Sequence, residues 1–422
     1  MSARTGRFHV VTLGCKLNQF DSAQSEAILR TRSMEPTDDP RRADVIVVNT
    51  CTVTGRADAE GRRLIRRMRR LNPRARIVAT GCYAERAPEE LRRTTPADAI
   101  VGHRDRARLP QALLGVDECV TAPVAQSFAD RSRGWLRVQE GCDLRCSYCV
   151  IPQVRGPGRS VPTAEVVEQL ARFADRGVRE VGLTGVNVGA WGSDLSPRRR
   201  LVDLLEAIVR ADLGLRIRLN SLEPRTVSDA LLELMRAEPD ILVPHLQIPL
   251  QSGTDSVLSR MSRNYRTGFY RERILAAHER VPDICLGADV ITGFPGETAE
   301  EHEQTAHFIG SLPLAYLHVF SYSRRPGTRA AGLPGQVAPH VIKQRTTRLR
   351  RIGADKARAF RERMLGRTLT GLALHAHAPC GATRVLTGNY IEVLVPGAPS
   401  GEVLAVRLDR LEDGPVVRGS LA

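Results

Sequence analysis

The chain has 422 residues, of which 42% are hydrophobic, and its 62 Lys and Arg exceed its 47 Asp and Glu by 15 positive charges. Such a chain is long enough for two or three domains with proper buried cores. It contains no apolar run of membrane-spanning length and no signal-peptide core at its start, so we expect a soluble, cytoplasmic protein without a membrane partner.

The charge and the cysteine count both bear on partners. A net charge of +15 favours a polyanion such as nucleic acid, although a basic, Arg-rich proteome would give the same excess. Nine cysteines in a chain without a secretory signal favour metal ligation over disulfides.

The N-terminal third alternates strands with helices. The predicted strands are residues 8–13, 44–50 and 76–80, and the predicted helices are about 21–32, 56–71 and 87–93. This alternation predicts a parallel sheet, in which ligands gather beyond the carboxyl ends of the strands. Cys15, Cys51 and Cys82 each follow one of those ends, so we expect them to converge. We interpret Cys119, which has no such context, as structural.

The helix between Cys51 and Cys82 is strongly basic. It carries six arginines, Arg62, Arg63, Arg66, Arg67, Arg69 and Arg70. A solvated helix face is the simpler interpretation, and a phosphate contact is the alternative.

Three further cysteines, Cys142, Cys146 and Cys149, share one short loop at spacing C-x3-C-x2-C, after a predicted strand at 135–140. A structural zinc site needs four ligands, and the nearest downstream cysteine is Cys285. Three thiolates suit an iron–sulfur cluster with one iron left open, and a zinc knuckle borrowing a distant ligand is the alternative. The spacing, with Tyr148 before the last cysteine, resembles the radical S-adenosylmethionine superfamily. That resemblance implies that the open iron chelates S-adenosylmethionine and that Tyr148 lies near the adenine.

From Trp135 the strand–helix alternation starts afresh, which predicts a (β/α)6 partial barrel. Its predicted strands are 135–140, 179–185, 216–222, 245–250, 285–292 and 316–321. The predicted helices are about 163–176, 201–211, 226–237, 254–280 in two pieces, and 297–311. The loops at the C-terminal strand ends should form the working face, on which the cysteine loop also opens. Candidate contacts to a small molecule there are Thr184, Gly185, Ser221, Glu223 and the segments 249–253 and 293–298.

The C-terminal end changes pattern after Gly366. A basic helical stretch at residues 343–367 is followed by short alternating runs, which predict a small antiparallel β-barrel. Small barrels are common RNA-binding modules, but the fold alone does not imply that role.

Taken together, these cysteines and the final barrel resemble the methylthiotransferases of the radical S-adenosylmethionine superfamily, over essentially the whole chain. The resemblance implies three domains: a methylthiotransferase N-terminal domain at 6–120, a radical S-adenosylmethionine core at 128–358, and a TRAM-like RNA-binding domain at 361–422. The overall fold class is then α/β, with a parallel sheet, a partial barrel and a small antiparallel β-barrel.

The residues beside the first two cysteines separate the branches of the family. Lys16 after Cys15 and Thr52 after Cys51 look like the branch that acts on threonylcarbamoyladenosine in tRNA. The isopentenyladenosine branch usually has Gln and Ser there, and the ribosomal-protein branch Pro and Gly. A cation and hydroxyls in the cavity would favour a polar threonylcarbamoyl group over an apolar isopentenyl group.

The resemblance implies an enzyme that adds a methylthio group to carbon 2 of threonylcarbamoyladenosine at tRNA position 37. Its cofactors would be S-adenosylmethionine and two 4Fe–4S clusters, one on Cys142, Cys146 and Cys149 and a sulfur-supplying one on Cys15, Cys51 and Cys82. Its partners would be tRNA, a reducing electron donor and a sulfur source. The alternatives are another methylthiotransferase branch and a non-catalytic iron–sulfur RNA-binding protein, which the open iron argues against.

Overall fold

A computed structural model describes residues 6–115, 132–378, 381–412, 414 and 416–422. Cys119 lies outside the described residues, so its interpretation as structural stays a prediction.

The N-terminal part is a five-stranded, wholly parallel sheet in the order β2-β1-β3-β4-β5. Its strands are β1 Arg7–Thr12, β2 Glu35–Pro36, β3 Val45–Thr50, β4 Arg76–Gly81 and β5 Ala99–Val101. Its helices are α1 Lys16–Arg30, α2 Gly55–Leu71, α3 Cys82–Arg86, α4 Pro88–Thr94 and α5 Leu109–Leu114. Apolar cores lie on both faces of the sheet, as buried parallel strands require.

The predicted parallel sheet is confirmed, but three details differ. The first helix begins at Lys16 rather than near residue 21, because its polar first turn carries no apolar period or side-chain cap that would reveal it. The edge strands β2 and β5 have only two and three residues, too short to show alternation. The short helix α3 begins at Cys82 itself, directly at a strand end.

The central part contains six parallel strands in two three-stranded sheets, ordered β10-β9-β6 and β11-β12-β13. They are β6 Arg133–Arg137, β9 Glu180–Thr184, β10 Arg216–Leu219, β11 His245–Gln247, β12 Cys285–Thr292 and β13 Tyr316–Ser321, with a small antiparallel pair β7 Gln139–Glu140 and β8 Arg159–Ser160. The helices are α6 Ile151–Arg155, α7 Thr163–Ala174, α8 Leu201–Ala211, α9 Asp229–Ala237, α10 Asp255–Arg260, α11 Thr267–Arg280, α12 Ala299–Gly310 and α13 Pro339–Met364.

The two sheets meet where Ile217 of β10 bridges to Leu242, just before β11. One large core cluster fills the space between strands and helices of both halves. The structure therefore has the predicted partial barrel, open between its outermost strands β6 and β13. The strand predicted at 135–140 is split at Val138, since its last two residues turn away to pair with β8.

The C-terminal part is a closed five-stranded barrel in the order β14-β15-β16-β18-β17. Its strands are β14 Thr368–His377, β15 Thr383–Thr387, β16 Glu392–Val395, β17 Val403–Leu411 and β18 Val417–Leu421. Every pairing is antiparallel except β16 with β18, which is parallel. Closure through this one parallel pair removes the exposed strand edges that an open sheet would leave.

This barrel packs against the N-terminal ends of the central strands. The guanidinium of Arg218, fully buried, pairs with Glu180 at 2.8 Å and donates to the carbonyls of Thr387 and Gly388 at 3.2 and 2.8 Å. Burial would raise the pKa of Glu180, but Arg218 and Arg133 outweigh it and lower that pKa to about 2. The cysteine loop lies at the opposite ends of the strands, so the two occupy opposite faces of the partial barrel.

Candidate functional site

The loop from residue 141 to 149 holds Cys142, Cys146 and Cys149, all half-buried. Its entry is fixed at Gly141, whose φ is +72° and where a Cβ would lie 1.8 Å from the carbonyl oxygen of Pro157. Backbone hydrogen bonds then hold the loop: Cys142 N–H donates to Gly156 O at 3.0 Å, and Cys149 N–H donates to Cys146 O at 3.1 Å. The three thiols are thus presented by a constrained turn.

The three thiols are close enough to affect one another's ionisation. Burial and the neighbouring thiols raise the pKa of Cys142 to about 11 and that of Cys149 to about 12. Buried thiols with raised pKa values need a cationic partner to exist as thiolates, and a metal centre is such a partner.

Arg263 lies beside this loop and was not singled out from the sequence. Its guanidinium donates to Cys146 Sγ at 3.2 Å and forms an ion pair with Glu223. Arg263 and Cys146 are 117 residues apart in the chain, so no local sequence pattern could predict their contact. Glu223, a predicted small-molecule contact, is therefore tied to the cysteine loop through Arg263.

The other predicted contacts have separate surroundings. Tyr148 packs against the apolar cluster of Val257, Met261, Phe294 and Ala330. Thr184 ends β9, and its carbonyl accepts from Val138 N–H at 3.0 Å. A Cβ at Gly185 would lie 2.8 Å from Gln139 O, so this glycine permits a close approach of two backbones. Ser221 adopts the left-handed region, with φ of +58°.

A cavity of ≈ 200 Å³ opens beside Cys142. Its walls include Asn187, Asp143 and Ser193, and they include none of Thr184, Gly185, Ser221 and Glu223. The assignment of those four residues to S-adenosylmethionine stays a prediction, and Asn187 joins them as a candidate that lies nearer the loop.

The second cysteine set forms at the carboxyl edge of the N-terminal sheet. Strands β1, β3 and β4 are neighbours in register, with Thr12 opposite Asn49 and Asn49 opposite Thr80. Cys15, Cys51 and Cys82 follow these three strands directly. The structure therefore brings the three together at one edge, as the strand pattern predicts.

Close packing holds this second set. A Cβ at Gly14 would lie 2.9 Å from Cys51 Cβ and 3.0 Å from its Sγ, and the φ of Gly14 is +103°. Burial raises the pKa of Cys82 to about 12, and Cys15 and Cys51 add to that rise. The Cys82 thiol also donates to Asn18 Oδ1 at 3.8 Å and lies 3.5 Å from His103 Nε2.

Each of the two sets offers three free thiols as donors. A structural zinc site takes four protein ligands. A 4Fe–4S cluster binds each thiolate through a different iron, so three thiolates hold it and leave the fourth iron open. The donor count of each set therefore fits a cluster better than the zinc alternative.

The two sets face each other across the domain contact. Cys82 packs directly against Val150 and Val154, which follow the last cysteine of the loop. Arg155 of α6, buried, donates to Asn18 Oδ1 at 2.8 Å and to Asp21 Oδ2 at 2.9 Å on α1. Arg155 also forms an ion pair with Glu140 of β7 at 2.8 Å. A buried ionic contact therefore joins α1, which follows Cys15, to the two elements that flank the cysteine loop.

A cavity of ≈ 250 Å³ lies between them. Its wall contains Val53 and Thr54 beside the strand-end set, Tyr148 and Cys149 of the loop, and residues from the ends of β12 and β13. The cavity thus borders the cysteine loop directly, at Cys149, and the strand-end set only through Val53 and Thr54, which follow Cys51. A group held there would lie between these two segments.

Two residues that we expected to line this cavity lie elsewhere. Lys16 reaches into the barrel interior, where it donates to Asn220 Oδ1 and lies 4.8 Å from the Trp135 ring centre. Burial and the nearby arginines lower the pKa of Lys16 to about 7. Thr52 is buried, and its hydroxyl bonds to Asp58 at 2.6 Å and to Arg325 at 2.9 Å. Of the flanking residues, Val53 and Thr54 are those that reach the cavity.

No helix in the described part of the chain is both long and apolar enough to cross a membrane.

Comparison with known proteins agrees with the two-part site. Residues 7–102 match the uncharacterized protein family UPF0004, and residues 136–309 match the radical SAM superfamily. A similar solved structure is the radical S-adenosylmethionine methyltransferase TsrM from Kitasatospora setae, with a TM-score of 0.56 over 77% of each chain. At 16% identity, it supports the fold alone.

Two curated relatives match nearly the full length. The threonylcarbamoyladenosine tRNA methylthiotransferase MtaB of Bacillus subtilis is 34% identical over 96% of this chain and 93% of its own. The tRNA-2-methylthio-N(6)-dimethylallyladenosine synthase of Sphingopyxis alaskensis is 32% identical over 95% and 94%. The chain therefore belongs to the methylthiotransferases of the radical S-adenosylmethionine superfamily, enzymes that use S-adenosylmethionine and 4Fe–4S clusters.

Proposed function

We propose that this enzyme adds a methylthio group to carbon 2 of threonylcarbamoyladenosine at position 37 of tRNA. The observation that carries the proposal is the ≈ 250 Å³ cavity, which borders Thr54 beside one cysteine set and Cys149 of the other. An adenine placed there would lie against Cys149 and against the segment that follows Cys51. The full-length relationship to MtaB methylthiotransferases, proteins named for this substrate, supports the same reaction.

Each cysteine set would hold one cluster. Cys142, Cys146 and Cys149 are the ligands we assign to the cluster that leaves an iron open for S-adenosylmethionine. Cys15, Cys51 and Cys82 are those we assign to the sulfur-supplying cluster. When bound, these cofactors supply the radical, the sulfur and the methyl group, because the carbon 2 C–H bond has no acidity that a side chain could exploit. A reductant and a sulfur source are the further partners we expect.

The chain itself positions and shields the reacting groups. Arg263 holds Cys146 and Glu223 in one arrangement, which orients the loop toward the S-adenosylmethionine side. The apolar contact of Cys82 with Val150 and Val154 seals the gap between the two sets. Excluding water there protects a reactive intermediate from side reactions.

Transfer RNA is the partner that the charge distribution favours. The chain carries 15 more cationic than anionic side chains. On α2, Arg62 and Arg69 are engaged by Glu90 and Asp98, whereas Arg67 and Arg70 are exposed. We therefore assign phosphate contacts to Arg67 and Arg70 rather than to the whole helix. Because the substrate is tRNA, we place the enzyme in the cytoplasm.

We also retain the three-domain organisation, 6–120, 128–358 and 361–422, as part of this proposal. The boundary between the last two lies inside α13, a continuous helix from Pro339 to Met364. This helix connects the core to the TRAM-like barrel, to which we assign RNA binding.

The substrate branch rests on the cavity wall as well as on the relatives. Hydroxyl-bearing Thr54, Ser321 and Ser323 line the cavity. A threonylcarbamoyl group can form hydrogen bonds with these hydroxyls, whereas an isopentenyl group would leave the polar atoms of the cavity wall unpaired. The isopentenyl branch stays the second candidate because relatives named for it also match nearly the full chain.

The test offers reduced, reconstituted enzyme two tRNAs, one with each modification, followed by mass spectrometry of the nucleosides. We expect the methylthio product only from the threonylcarbamoyl tRNA. Product only from the isopentenyl tRNA would overturn the branch, and product from neither would overturn the proposed function.

A further inference from the structure

A row of aromatic side chains crosses the central part from the C-terminal barrel to the substrate cavity. It consists of Tyr390, His245, Tyr316, His318 and Phe320, which we call the aromatic row. Ring centres are 4.6 Å apart for Tyr390–His245, 5.9 Å for His245–Tyr316, 5.1 Å for Tyr316–His318 and 6.5 Å for His318–Phe320. The contacts are therefore continuous from one end to the other.

Three members of the row lie on one face of β13. Tyr316, His318 and Phe320 are two residues apart, so their side chains share the same side of the strand. β13 is an edge strand, at the side where the partial barrel is open. On this face His318 and Phe320 are exposed, and Tyr316 is half-buried.

The two ends of the row are exposed, and its middle is not. Phe320 is 44% exposed, Tyr390 is 37% exposed and the side chain of His318 is 49% exposed, whereas His245 is 1% exposed and Tyr316 is half-buried. The neighbouring exposed rings of His318 and Phe320 are typical of a binding site.

Each end of the row opens into a cavity. Phe320 lines the ≈ 250 Å³ cavity that borders Cys149 and the segment after Cys51. Tyr316 and Tyr390 line another, of ≈ 270 Å³, between the central part and the C-terminal barrel. The row thus leads from the reaction cavity directly to the domain to which we assign RNA binding.

Cationic side chains flank the row. Arg350 of α13 is exposed and donates to the carbonyl of Val319 within β13 at 3.4 Å. Arg361 lines the second cavity beside Tyr390, and the exposed Arg324 follows β13 after two residues that line the first cavity. Single-stranded nucleic acid binds where positive charge lies beside exposed rings, because its phosphates contact the cations and its bases stack on the rings.

We propose that His318 and Phe320, the exposed end of the aromatic row beside the substrate cavity, form a base-stacking track for the unpaired nucleotides next to the target adenosine in the anticodon loop. This proposal rests on the proposed function, since it takes tRNA as the substrate. The nucleotides adjoining the adenosine would stack on Phe320 and His318 while the target base enters the cavity. The stem would then extend toward Tyr390 and the C-terminal barrel.

The experiment measures the affinity of a fluorescein-labelled anticodon stem-loop RNA by anisotropy over a series of salt concentrations. The variants are Phe320→Ala and His318→Ala. The matched control is Phe269→Ala, which removes a phenylalanine of similar exposure, 37%, from α11. Thermal unfolding confirms that each variant is folded.

We expect Phe320→Ala and His318→Ala each to weaken binding about 5- to 150-fold, the range for losing one base–aromatic stack. The dependence of affinity on salt should not change, because its slope counts phosphate contacts. Arg350→Ala should instead reduce that slope by about one and weaken binding to all sequences alike.

The possible outcomes distinguish the stacking proposal from the proposed function on which it rests. If wild-type enzyme binds the RNA and the Phe320 and His318 variants behave like Phe269→Ala, the stacking track is wrong and the proposed function stands. A change of salt slope in those two variants would also overturn the track. If wild-type enzyme does not bind the RNA, the proposed tRNA substrate is wrong, and the track is wrong with it.

Discussion

The two cysteine sets are built in opposite ways. Cys142, Cys146 and Cys149 come from one loop of nine residues, fixed by Gly141 and by backbone hydrogen bonds within the loop and to Gly156. The strand-end set comes from three separate βα junctions and exists only when β1, β3 and β4 pair in register. The first set is a local structure, whereas the second depends on the fold of a whole domain.

The surroundings differ in the same sense. The loop set is half-buried, and a cation, Arg263, reaches it from a distant segment. In the strand-end set Cys51 and Cys82 are buried and Cys15 is exposed, and Cys82 lies beside the neutral side chains Asn18 and His103 and the buried cation Arg155. Burial lowers the pKa of His103 to about 3, so this imidazole is uncharged at neutral pH. Each set therefore has one buried arginine beside it, Arg263 at the loop and Arg155 at the strand ends, and the two sets differ in how deeply their thiols are buried.

The largest effect we expect is from removing either set. The triple variant Cys142→Ala, Cys146→Ala, Cys149→Ala should lose half of the iron and all S-adenosylmethionine cleavage, because the open iron is lost. The triple variant of Cys15, Cys51 and Cys82 should also lose half of the iron and all methylthiolation, but it should still cleave S-adenosylmethionine. Iron analysis and 5′-deoxyadenosine release under reducing conditions measure both. Stoichiometric zinc in place of iron would falsify the cluster assignment.

We expect the next largest effect from two glycine substitutions, each of which disrupts one cysteine set. Gly81→Ala places a Cβ 2.3 Å from Asn49 Oδ1 and 2.4 Å from Thr50 O, so β3 and β4 must separate and the strand-end set should lose its cluster. Gly141→Ala meets Pro157 O at 1.8 Å and should disrupt the loop set instead. Each variant should keep about half of the iron, as measured by iron analysis. S-adenosylmethionine cleavage is the separate readout for the loop set.

The matched control for these two variants is Gly115→Ala. Gly115 also has a positive φ, +70°, in the left-handed region, but the nearest atom to its Cβ position is Arg76 Nη1 at 4.0 Å. It should cost only the backbone strain, about 1–2 kcal/mol, and keep all the iron. If Gly81→Ala removed both clusters, the two sets would not be independent structures.

The contrast also explains what the sequence could predict. The loop set is readable from spacing alone, because its ligands are neighbours in the chain. The strand-end set required a topological argument, that parallel strands end at one edge, and Cys15, Cys51 and Cys82 do lie there. The architecture was predictable for the same reason, since long periodic segments determine the sheet and the partial barrel.

Side-chain partners across domains were not predictable. Arg263 reaches Cys146 from 117 residues away, and Arg155 reaches Asp21 from 134 residues away. Lys16 was expected in the substrate cavity because it follows Cys15, but α1 begins at this residue and its side chain points into the barrel interior. Position in sequence gives proximity to a ligand, whereas the direction of a side chain depends on the packing of both domains.

A smaller effect tests the contact of Arg263 with the loop set. Arg263→Lys keeps the charge but loses the fork that serves Cys146 and Glu223 together. Hydrogen bonds to cluster sulfurs favour the reduced state, so the potential of the loop cluster should become more negative, by up to about 100 mV. The strand-end cluster should not change. Redox titration followed by electron paramagnetic resonance resolves the two, and equal shifts in both would contradict the assignment.

The smallest effect concerns the buried contact that joins the two sets. Burial would raise the pKa of Asp21, but Arg106, Arg155 and Arg137 outweigh it and hold that pKa well below its ordinary value of 3.8. A carboxyl whose pKa is lower in the folded state stabilises the protein above its unfolded pKa, and this stabilisation is lost as the pH falls further. The difference in unfolding free energy between wild type and Asp21→Asn should therefore shrink below about pH 4.

Lowering a pKa by one unit corresponds to about 1.4 kcal/mol. We therefore expect the difference in unfolding free energy between wild type and Asp21→Asn to decrease by at least about that amount between pH 7 and the lowest pH at which the protein is folded. Urea unfolding of the cluster-free protein measures it without interference from acid loss of iron. The exposed Asp175→Asn variant is the control for the general effect of removing a carboxylate. A gap between wild type and Asp21→Asn that stayed constant with pH would mean that Arg155 positions α6 against α1 through Asn18 and Glu140 alone. The two cysteine sets would then be joined without the charge of Asp21.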